Sequence, residues 1–301
     1  MALEVEIWER DLARNFYPDN TFMTKGKDMT AFVVNGKTVH SPQEGADPNV
    51  AVNRATVPAT ISQRTDADLT WDLSELTTDP TLLRDIEEIE TSYDKRNSII
   101  SQHGKTLNKK AAGLILNNWA ATAAGRVITT TGGEREATAP AATGNRKAVD
   151  NKDILKAKSI LDLEDVDTEG RYALFSASMY NDLLANDAFI DASRFGAAVI
   201  PSGVIGRIHG FWVYMRSHAM IFDTAGSLKA LGAAGAADDK ESVLFWHEDC
   251  VKYAKGNVKI FHNAGEAAYY GDIFSAMARA GGKHSYTDQS GVVSLIQDAS
   301  V

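Results

Sequence analysis

The chain has 301 residues, of which 44% are hydrophobic and 24% charged, and this composition suits a folded protein large enough for two compact lobes. The formal net charge of −9 argues against tight, sequence-independent binding of nucleic acid, which needs an excess of Lys and Arg. The single cysteine, Cys250, excludes an internal disulfide framework and gives no indication of redox chemistry.

Residues 1–28 place aromatic side chains, Trp8 and Phe16 among them, between charged residues. Because these aromatic residues have no local core, we interpret the segment as an arm that docks on another surface. Acidic residues interrupt the start of the chain too soon for a signal peptide, and no apolar run approaches the length of a membrane span. We therefore expect a protein that is made in a cytoplasm and has no membrane partner.

The sequence of residues 29–78 is typical of extended strands that have little core of their own. Asn35-Gly36 lies between strand-like runs at 31–34 and 37–40, and it is a strong short signal for a hairpin. Residues 41–53 have loop chemistry, and β-rich sequence returns at 57–71. Arms of about fifteen residues would reach on the order of 50 Å and could not bury themselves, so this extended loop needs a neighbour to lie on.

Residues 79–126 are predicted to form one very long helix. Asp79-Pro80 is a strong helix start, and apolar residues recur after it in steps of mostly three and four. Some forty residues would span roughly 60 Å and suit a strut, although Gly104 is a position where the helix could kink or split. The one basic cluster on a defined element follows at Lys105, Lys109 and Lys110. These lysines are either a solvated face that complements the helix dipole or a contact for packaged nucleic acid or an acidic partner.

The second half of the chain mixes helix and strand signals, which predicts an α+β lobe. The predicted helices are 151–163, capped by Asn151, and 179–185. The predicted strands are 171–176, two short ones within 204–215, and then 242–246, 258–261, 269–270 and 292–296.

Sequence motifs for catalysis, cofactors and metals are missing. The nearest approach to a metal site is His247 and Cys250 with His262 downstream, which lacks the second paired cluster that makes zinc spacing specific. The glycines within 203–210 match neither a phosphate loop nor a dinucleotide fingerprint, and there is no nucleophile elbow. We predict no catalytic residue, no cofactor and no bound metal.

The order of these segments resembles that of the major capsid proteins of tailed bacteriophages, which have the Hong Kong 97-type fold. RYALFSASMYNDLL at 171–184 is similar to that family's strand-then-helix segment, and GVIGRIHGFWV at 203–213 to its glycine-rich strand pair. YGD at 270–272 with GVV at 291–293 is similar to its closing strands. The implied α+β fold has an N-terminal arm (1–28), an extended β-hairpin loop (29–78), a peripheral domain with a spine helix (79–149), an axial domain (150–268), and strands that return to the peripheral domain (269–301).

As a function, the resemblance implies a structural protein, not an enzyme. Its copies would form the hexamers and pentamers of an icosahedral virion shell around double-stranded DNA, without sequence-specific binding. The sequence has no long charged N-terminal extension that could act as a built-in scaffold, so a separate scaffolding protein is expected, with a portal protein and assembly in the host cytoplasm. The candidate assembly contacts are Trp8, Phe16, Lys37, Gln43, Glu44, Arg54 and Trp71, and the candidate contacts to the interior or a partner are Lys105, Lys109 and Lys110.

Two alternatives stay open on the sequence. An encapsulin, a bacterial cage that holds an enzyme cargo in place of a genome, has the same fold. A soluble metal-dependent enzyme would be built around His247, Cys250 and His262.

Overall fold

The computed structural model describes residues 17–34, 36–55, 57–85, 95–185 and 204–299. Within these ranges three α-helices form: α1 Lys95–Trp119, α2 Asn151–Leu163 and α3 Ala177–Leu184. Short 3-10 helices lie at Thr21–Thr24, Thr30–Phe32 and Glu248–Cys250. None of the helices in these ranges has both the length and the apolar content of a membrane span.

The β-strands of the described residues are numbered in chain order. The first nine are β1 Lys27–Asp28, β2 Val33–Val34, β3 Thr38–Gln43, β4 Ala67–Asp72, β5 Ser74–Thr77, β6 Thr81–Arg84, β7 Val127–Thr129, β8 Glu134–Glu136 and β9 Asn145–Lys147. The others are β10 Arg171–Ser176, β11 Val204–Ile208, β12 Phe211–Arg216, β13 Ile221–Phe222, β14 Lys240–His247, β15 Val251–Lys255, β16 Lys259–Glu266, β17 Gly271–His284 and β18 Val292–Ile296. The predicted α+β class is therefore confirmed.

Seven strands form the large sheet, in the order β11-β12-β10-β14-β18-β7 with β13 paired to β14. β10 is parallel to β12 and antiparallel to β14, and all of its residues are buried. A strand covered on both faces carries a nearly continuous apolar run, and YALF within β10 fits that pattern.

Helices cover both faces of the large sheet, and successive side chains along each strand point to opposite faces. Phe175 of β10 belongs to the same buried cluster as Ile154 of α2. Its neighbour Leu174 belongs to a second buried cluster, which also contains Ile115 of α1. The large sheet is thus the middle layer between α1 on one side and α2 with α3 on the other.

The second sheet is built on β17, the longest strand, and we call it the β17 sheet. β17 pairs antiparallel with β15, β16, β5 and β6, and β1 extends the sheet beyond β15. The first half of α1 packs on it: Leu107 shares a buried cluster with Ala276, and Ile99 shares another with Phe274. Because its second half packs on the large sheet, α1 joins the two sheets.

The predicted helix start is wrong. In place of a helix after Asp79-Pro80, Thr81–Arg84 forms β6, because β17 supplies partners for its backbone and Leu83 becomes buried opposite Asp272. This tertiary pairing outweighs the local capping signal. Residues 86–94, which the sequence also placed in the helix, lie outside the described residues.

Helix α1 has 25 residues, about 37 Å in length. It runs unbroken through Gly104, so this glycine does not split it. The predicted apolar stripe is confirmed over this length by the burial of Ile99, Leu107, Ala111, Ile115 and Trp119. The helix ends at Trp119, earlier than predicted, because other elements hold the chain there: Trp119 Nε1 donates to the carbonyl of Lys252 at 2.9 Å, and the Ala121 amide donates to Ser294 Oγ at 2.9 Å.

The extended loop contains a three-stranded antiparallel sheet, β2-β3-β4, which we call the loop sheet. The predicted hairpin is confirmed by the pairing of β2 with β3, and Gly36 has the positive φ of +67° that this turn requires, although Asn35 lies outside the described residues. The predicted strand lengths are wrong. β3 extends to Gln43 and β4 begins only at Ala67, so each paired arm has six residues and not about fifteen.

Most predicted elements of the second half are confirmed, with two local corrections. The N-cap of α2 is Asp150, which forms a capping box with Asp153, and not Asn151. Residues 269–270 form the turn before β17 and not a strand.

The two sheets divide the chain differently from the predicted segments. β15 and β16, from the predicted axial segment, pair with β17, whereas β18, from the predicted returning segment, pairs with β14 in the large sheet. Strands that are neighbours in the sequence therefore belong to different sheets, and the order of segments along the chain does not determine which strands pair. The division into an axial and a peripheral domain stays a prediction.

His284, at the end of β17, fixes the junction between α1 and the β17 sheet. Its Nε2 donates to the carbonyl of Trp119 at 2.9 Å, and its side chain is buried. Burial lowers the pKa of His284 from 6.5 to about 4. Between these two values the unfolded chain binds a proton that the folded chain does not, so folding stability falls as the pH drops.

We expect the free energy of unfolding to fall by up to about 3 kcal/mol through His284 alone between pH 6.5 and pH 4. Urea unfolding at the two pH values would measure this loss in the wild type and in His284→Gln, whose amide can still donate a hydrogen bond but does not titrate. The variant should lose less stability than the wild type. An equal loss in both proteins would contradict the assignment to His284.

Candidate assembly surface

The base of the loop sheet is fixed to the β17 sheet by apolar and polar contacts. Trp71 of β4 is buried in a cluster with Val39 and Ala254. Arg279 of β17 donates from Nη1 to the carbonyl of Gly36 at 2.8 Å. These contacts hold the hairpin turn and the start of the loop in one position on the body of the subunit.

Beyond the loop sheet lies the tip segment, residues 44–66, whose neck is closed by hydrogen bonds. The Gly45 amide donates to Asp66 Oδ1 at 3.0 Å, and Arg64 Nε approaches the same oxygen at 2.7 Å. The hydrogen bond from Arg64 is the main cause of the lowered pKa of Asp66. The tip segment is therefore tied at its neck while its outer part makes few contacts.

Every described residue from 46 to 66 is exposed. Four of them are large aliphatic residues that are between 82% and 97% exposed, namely Val50, Val52, Val57 and Ile61. These four aliphatic side chains on a tied loop are candidates for contact with another molecule, which would remove them from water. No sequence signal distinguishes these four residues, because they are scattered in a polar segment and follow no period of 2 or 3.6.

The residues predicted as assembly contacts do not lie together in one part of the described structure. Lys37 lies on the hairpin with its Nζ 3.2 Å from Asp72 Oδ2, and Gln43 accepts a hydrogen bond from the Thr287 amide at 3.3 Å. Glu44 and Arg54 are exposed in the tip segment. Trp8 and Phe16 lie outside the described residues.

Trp71 must be removed from the predicted contacts. Its side chain is buried against its own subunit, where it packs beside Gly281 of β17. A side chain that fills the core of the loop base has little surface left for a neighbour. The alternation in β4 places Leu69 and Trp71 on one face, but it does not show whether the same chain or a neighbour covers that face, and this explains the error.

Strand β16 forms a second candidate contact, at the edge of the β17 sheet. It pairs with β17 on one side, and among the described residues no strand pairs with its other side. Nearly all of its residues are exposed, including Ile260 and Phe261. Unpaired backbone groups along an exposed edge are a template for another strand.

Lys105, Lys109 and Lys110 are all exposed on α1. Lys105 Nζ lies 5.6 Å from the ring centre of Tyr17, so the chain before β1 runs close to the helix here. In the part of the chain that the structure describes, none of the three lysines has an ion-pair partner. Their proposed contact with nucleic acid or an acidic partner stays a prediction.

The residues of the alternative metal site are occupied by contacts within the fold. His247 uses both ring nitrogens, one against the carbonyl of Glu169 at 2.8 Å and the other accepting from the Asp249 amide at 3.2 Å. His262 stacks on Phe274. No group of three metal-binding side chains comes together among the described residues.

Cys250 is an inert core thiol in this arrangement. Burial raises the pKa of Cys250 to about 12, so almost no thiolate is present at neutral pH. Gly291, with a φ of +74°, packs so closely on Cys250 Sγ that a Cβ at this position would overlap the sulfur atom.

We expect the thiol of Cys250 to resist Ellman's reagent in the folded protein and to react once the protein is denatured.

Gly291→Ala should lower the free energy of unfolding by about 2–4 kcal/mol, because it combines an unfavourable positive φ with overpacking. Gly125→Ala is a matched control, since Gly125 also has a positive φ of +79° but has open space around it. Equal losses of stability in the two variants would show that the contact with Cys250 is not tight.

Comparison with solved structures finds the same fold over the whole chain. The capsid of cyanophage P-SCSP1u matches with a TM-score of 0.70 and 16% identity, covering 99% of this chain and 93% of that one. The capsid of Ralstonia phage GP4 matches with a TM-score of 0.70 and 12% identity, covering 99% and 96%. A structure from Mycobacterium phage Che8 matches with a TM-score of 0.63 and 18% identity, covering 98% and 97%.

No protein-family model matches the sequence, and no curated protein matches it either. The likeness is therefore one of structure, and it confirms the predicted resemblance at the level of the fold: the chain has the fold of tailed-phage capsid proteins. The matching structures from cyanophage P-SCSP1u and Ralstonia phage GP4 are capsids.

Proposed function

We propose that this chain is a major capsid protein whose copies assemble as hexamers and pentamers into an icosahedral shell around double-stranded DNA. The observation that carries the proposal is the tip segment, an exposed loop that carries four large aliphatic side chains and is tied at its neck, in a chain with a capsid fold. Burial of these aliphatic side chains against a neighbour would release them from water and so favour association.

Within the shell, the tip segment would lie on an adjacent subunit and cover its own aliphatic residues. A stable interface of standard size buries about 800 Å² on each partner, and the exposed edge of β16 is a second surface that could contribute to it. The loop base keeps its shape because Trp71 and the Gly36 carbonyl are held by the β17 sheet. In this proposal α1 is the spine helix, since it joins the two sheets.

The relation to DNA would be one of enclosure. A chain with a net charge of −9 presents few sites for tight phosphate binding, and a wall that binds phosphate weakly lets a genome enter and leave. A separate scaffolding protein, a portal protein and assembly in the host cytoplasm follow from the resemblance and belong to the same proposal.

The test is expression of the chain with and without its neighbouring genes, followed by negative-stain electron microscopy and sedimentation. We expect closed particles of megadalton size when a scaffolding protein is present. Particles isolated from the natural source should contain DNA, whereas a protein cargo would assign the chain to the encapsulin class. A protein that stays monomeric under all of these conditions would contradict a shell function.

A further inference from the structure

A cavity of about 80 Å³ lies between α1 and the loop that follows β12. One wall is formed by Gly113, Leu116 and Asn117 of α1, and the other by loop residues within 219–233. Since one water needs roughly 10–15 Å³ on this measure, the cavity has space for a small polyatomic ion. Leu231, at its edge, is exposed, so the cavity can be reached from solvent.

Arg216, the last residue of β12, lines this cavity with a side chain that is only 9% exposed. Its Nη2 donates to the backbone carbonyl of Lys109 at 3.1 Å, and its guanidinium lies 5.9 Å from the ring centre of Phe22. Across the described ranges, no carboxylate forms an ion pair with Arg216. Burial lowers the pKa of Arg216, but a guanidinium stays charged at neutral pH.

The other charged residues of the cavity neutralise each other. Lys229 Nζ lies 2.8 Å from both carboxylate oxygens of Asp239 and donates to the carbonyl of Ala234 at 2.7 Å. All three N–H groups of the Lys229 ammonium are therefore used in hydrogen bonds, and the charge of Asp239 is paired with that of Lys229. The net charge of the lining is +1, and it comes from Arg216.

We propose that this cavity is a binding site for a small inorganic oxyanion of the phosphate or sulfate class, with Arg216 as the charged donor. A buried charge without a counter-charge is costly, and an oxyanion in the cavity removes that cost. The planar guanidinium presents N–H groups in the geometry that an oxyanion accepts. The bound ion would tie the loop to α1 and so stiffen the join between this loop and the helix.

The probe is radiolabelled inorganic phosphate, measured by equilibrium dialysis at constant ionic strength set with chloride. We expect one phosphate per chain in the wild type, displaced by sulfate. Arg216→Met keeps an unbranched apolar stem but loses the charge, and it should weaken binding at least about tenfold. Lys156→Met is the matched control, because Lys156 is an exposed lysine of α2, on the other face of the large sheet; it should bind phosphate as the wild type does.

A second variant keeps the proposal testable if Arg216→Met fails to fold. Ala230→Glu places a carboxylate on the wall of the same cavity, where it can neutralise Arg216, and it should abolish phosphate binding. In the wild type the melting temperature should rise by about 5 °C at a phosphate concentration about a hundredfold above Kd, compared with chloride. The rise should be absent in Ala230→Glu. No bound phosphate in the wild type, or equal binding in wild type and variants, would overturn the proposal.

Discussion

Replacing Ile115 by Asp should abolish soluble folded protein. Ile115 is fully buried where α1 packs on the large sheet, and it shares its cluster with Leu174 and Trp246. A carboxylate at this position loses its hydration or must take up a proton, and the apolar contacts of the isoleucine are lost as well. Together these two effects should lower the free energy of unfolding by several kcal/mol. This loss is comparable with the total stability of a domain, which is about 5–15 kcal/mol.

The measurement is the soluble fraction after expression, followed by circular dichroism and thermal melting of whatever remains soluble. Asn108→Asp introduces the same carboxylate on the exposed face of the same helix, and it should change the free energy of unfolding by only about 0.5 kcal/mol. Similar melting temperatures for the two variants would mean that α1 does not bury this face.

Shortening the tip segment should prevent shell formation while the subunit still folds. Replacing residues 46–63 by a short Gly-Ser turn keeps Gly45, Arg64 and Asp66, which close the neck. All described residues that are removed are exposed, and a twofold change of loop length changes the closure cost by only about 0.6 kcal/mol. Circular dichroism and melting should therefore be nearly unchanged, and sedimentation with the scaffolding protein present should show no particles of megadalton size.

A second variant separates the length of the tip segment from its apolar character. Changing Val50, Val52, Val57 and Ile61 to Ser keeps the length and removes the aliphatic surface. If covering this surface drives the contact, the serine variant should also fail to form shells. Normal shells from the shortened chain would remove the tip segment from the assembly surface.

Local signals predicted the elements that are continuous and buried. β10 and α3 match the predicted strand and helix closely, because YALF is an apolar run and Ser176 caps the helix through a hydrogen bond to the Met179 amide. The turn chemistry around Gly36 likewise predicts the hairpin of β2 and β3.

Errors occurred where a distant strand decides the local structure. Thr81–Arg84 has a good helix start before it, yet it joins β17, which lies far away in sequence. For the same reason the sequence did not reveal that Trp71 packs beside Gly281 in its own subunit. The candidate assembly surface stays a prediction, and its aliphatic residues in the tip segment are recognised only from the exposure of each side chain.

The pairing of the first strands with the last third of the chain has a kinetic consequence. Lys27 pairs with Lys252, and Gln43 bonds to Thr287, a separation of 244 positions. Contacts that are so remote in sequence form late in folding, and at synthesis rates of about 5–20 residues per second the early strands wait many seconds for their partners. The loop base therefore becomes anchored only after the chain has been synthesised as far as Arg279 and Thr287, more than 200 positions after the hairpin.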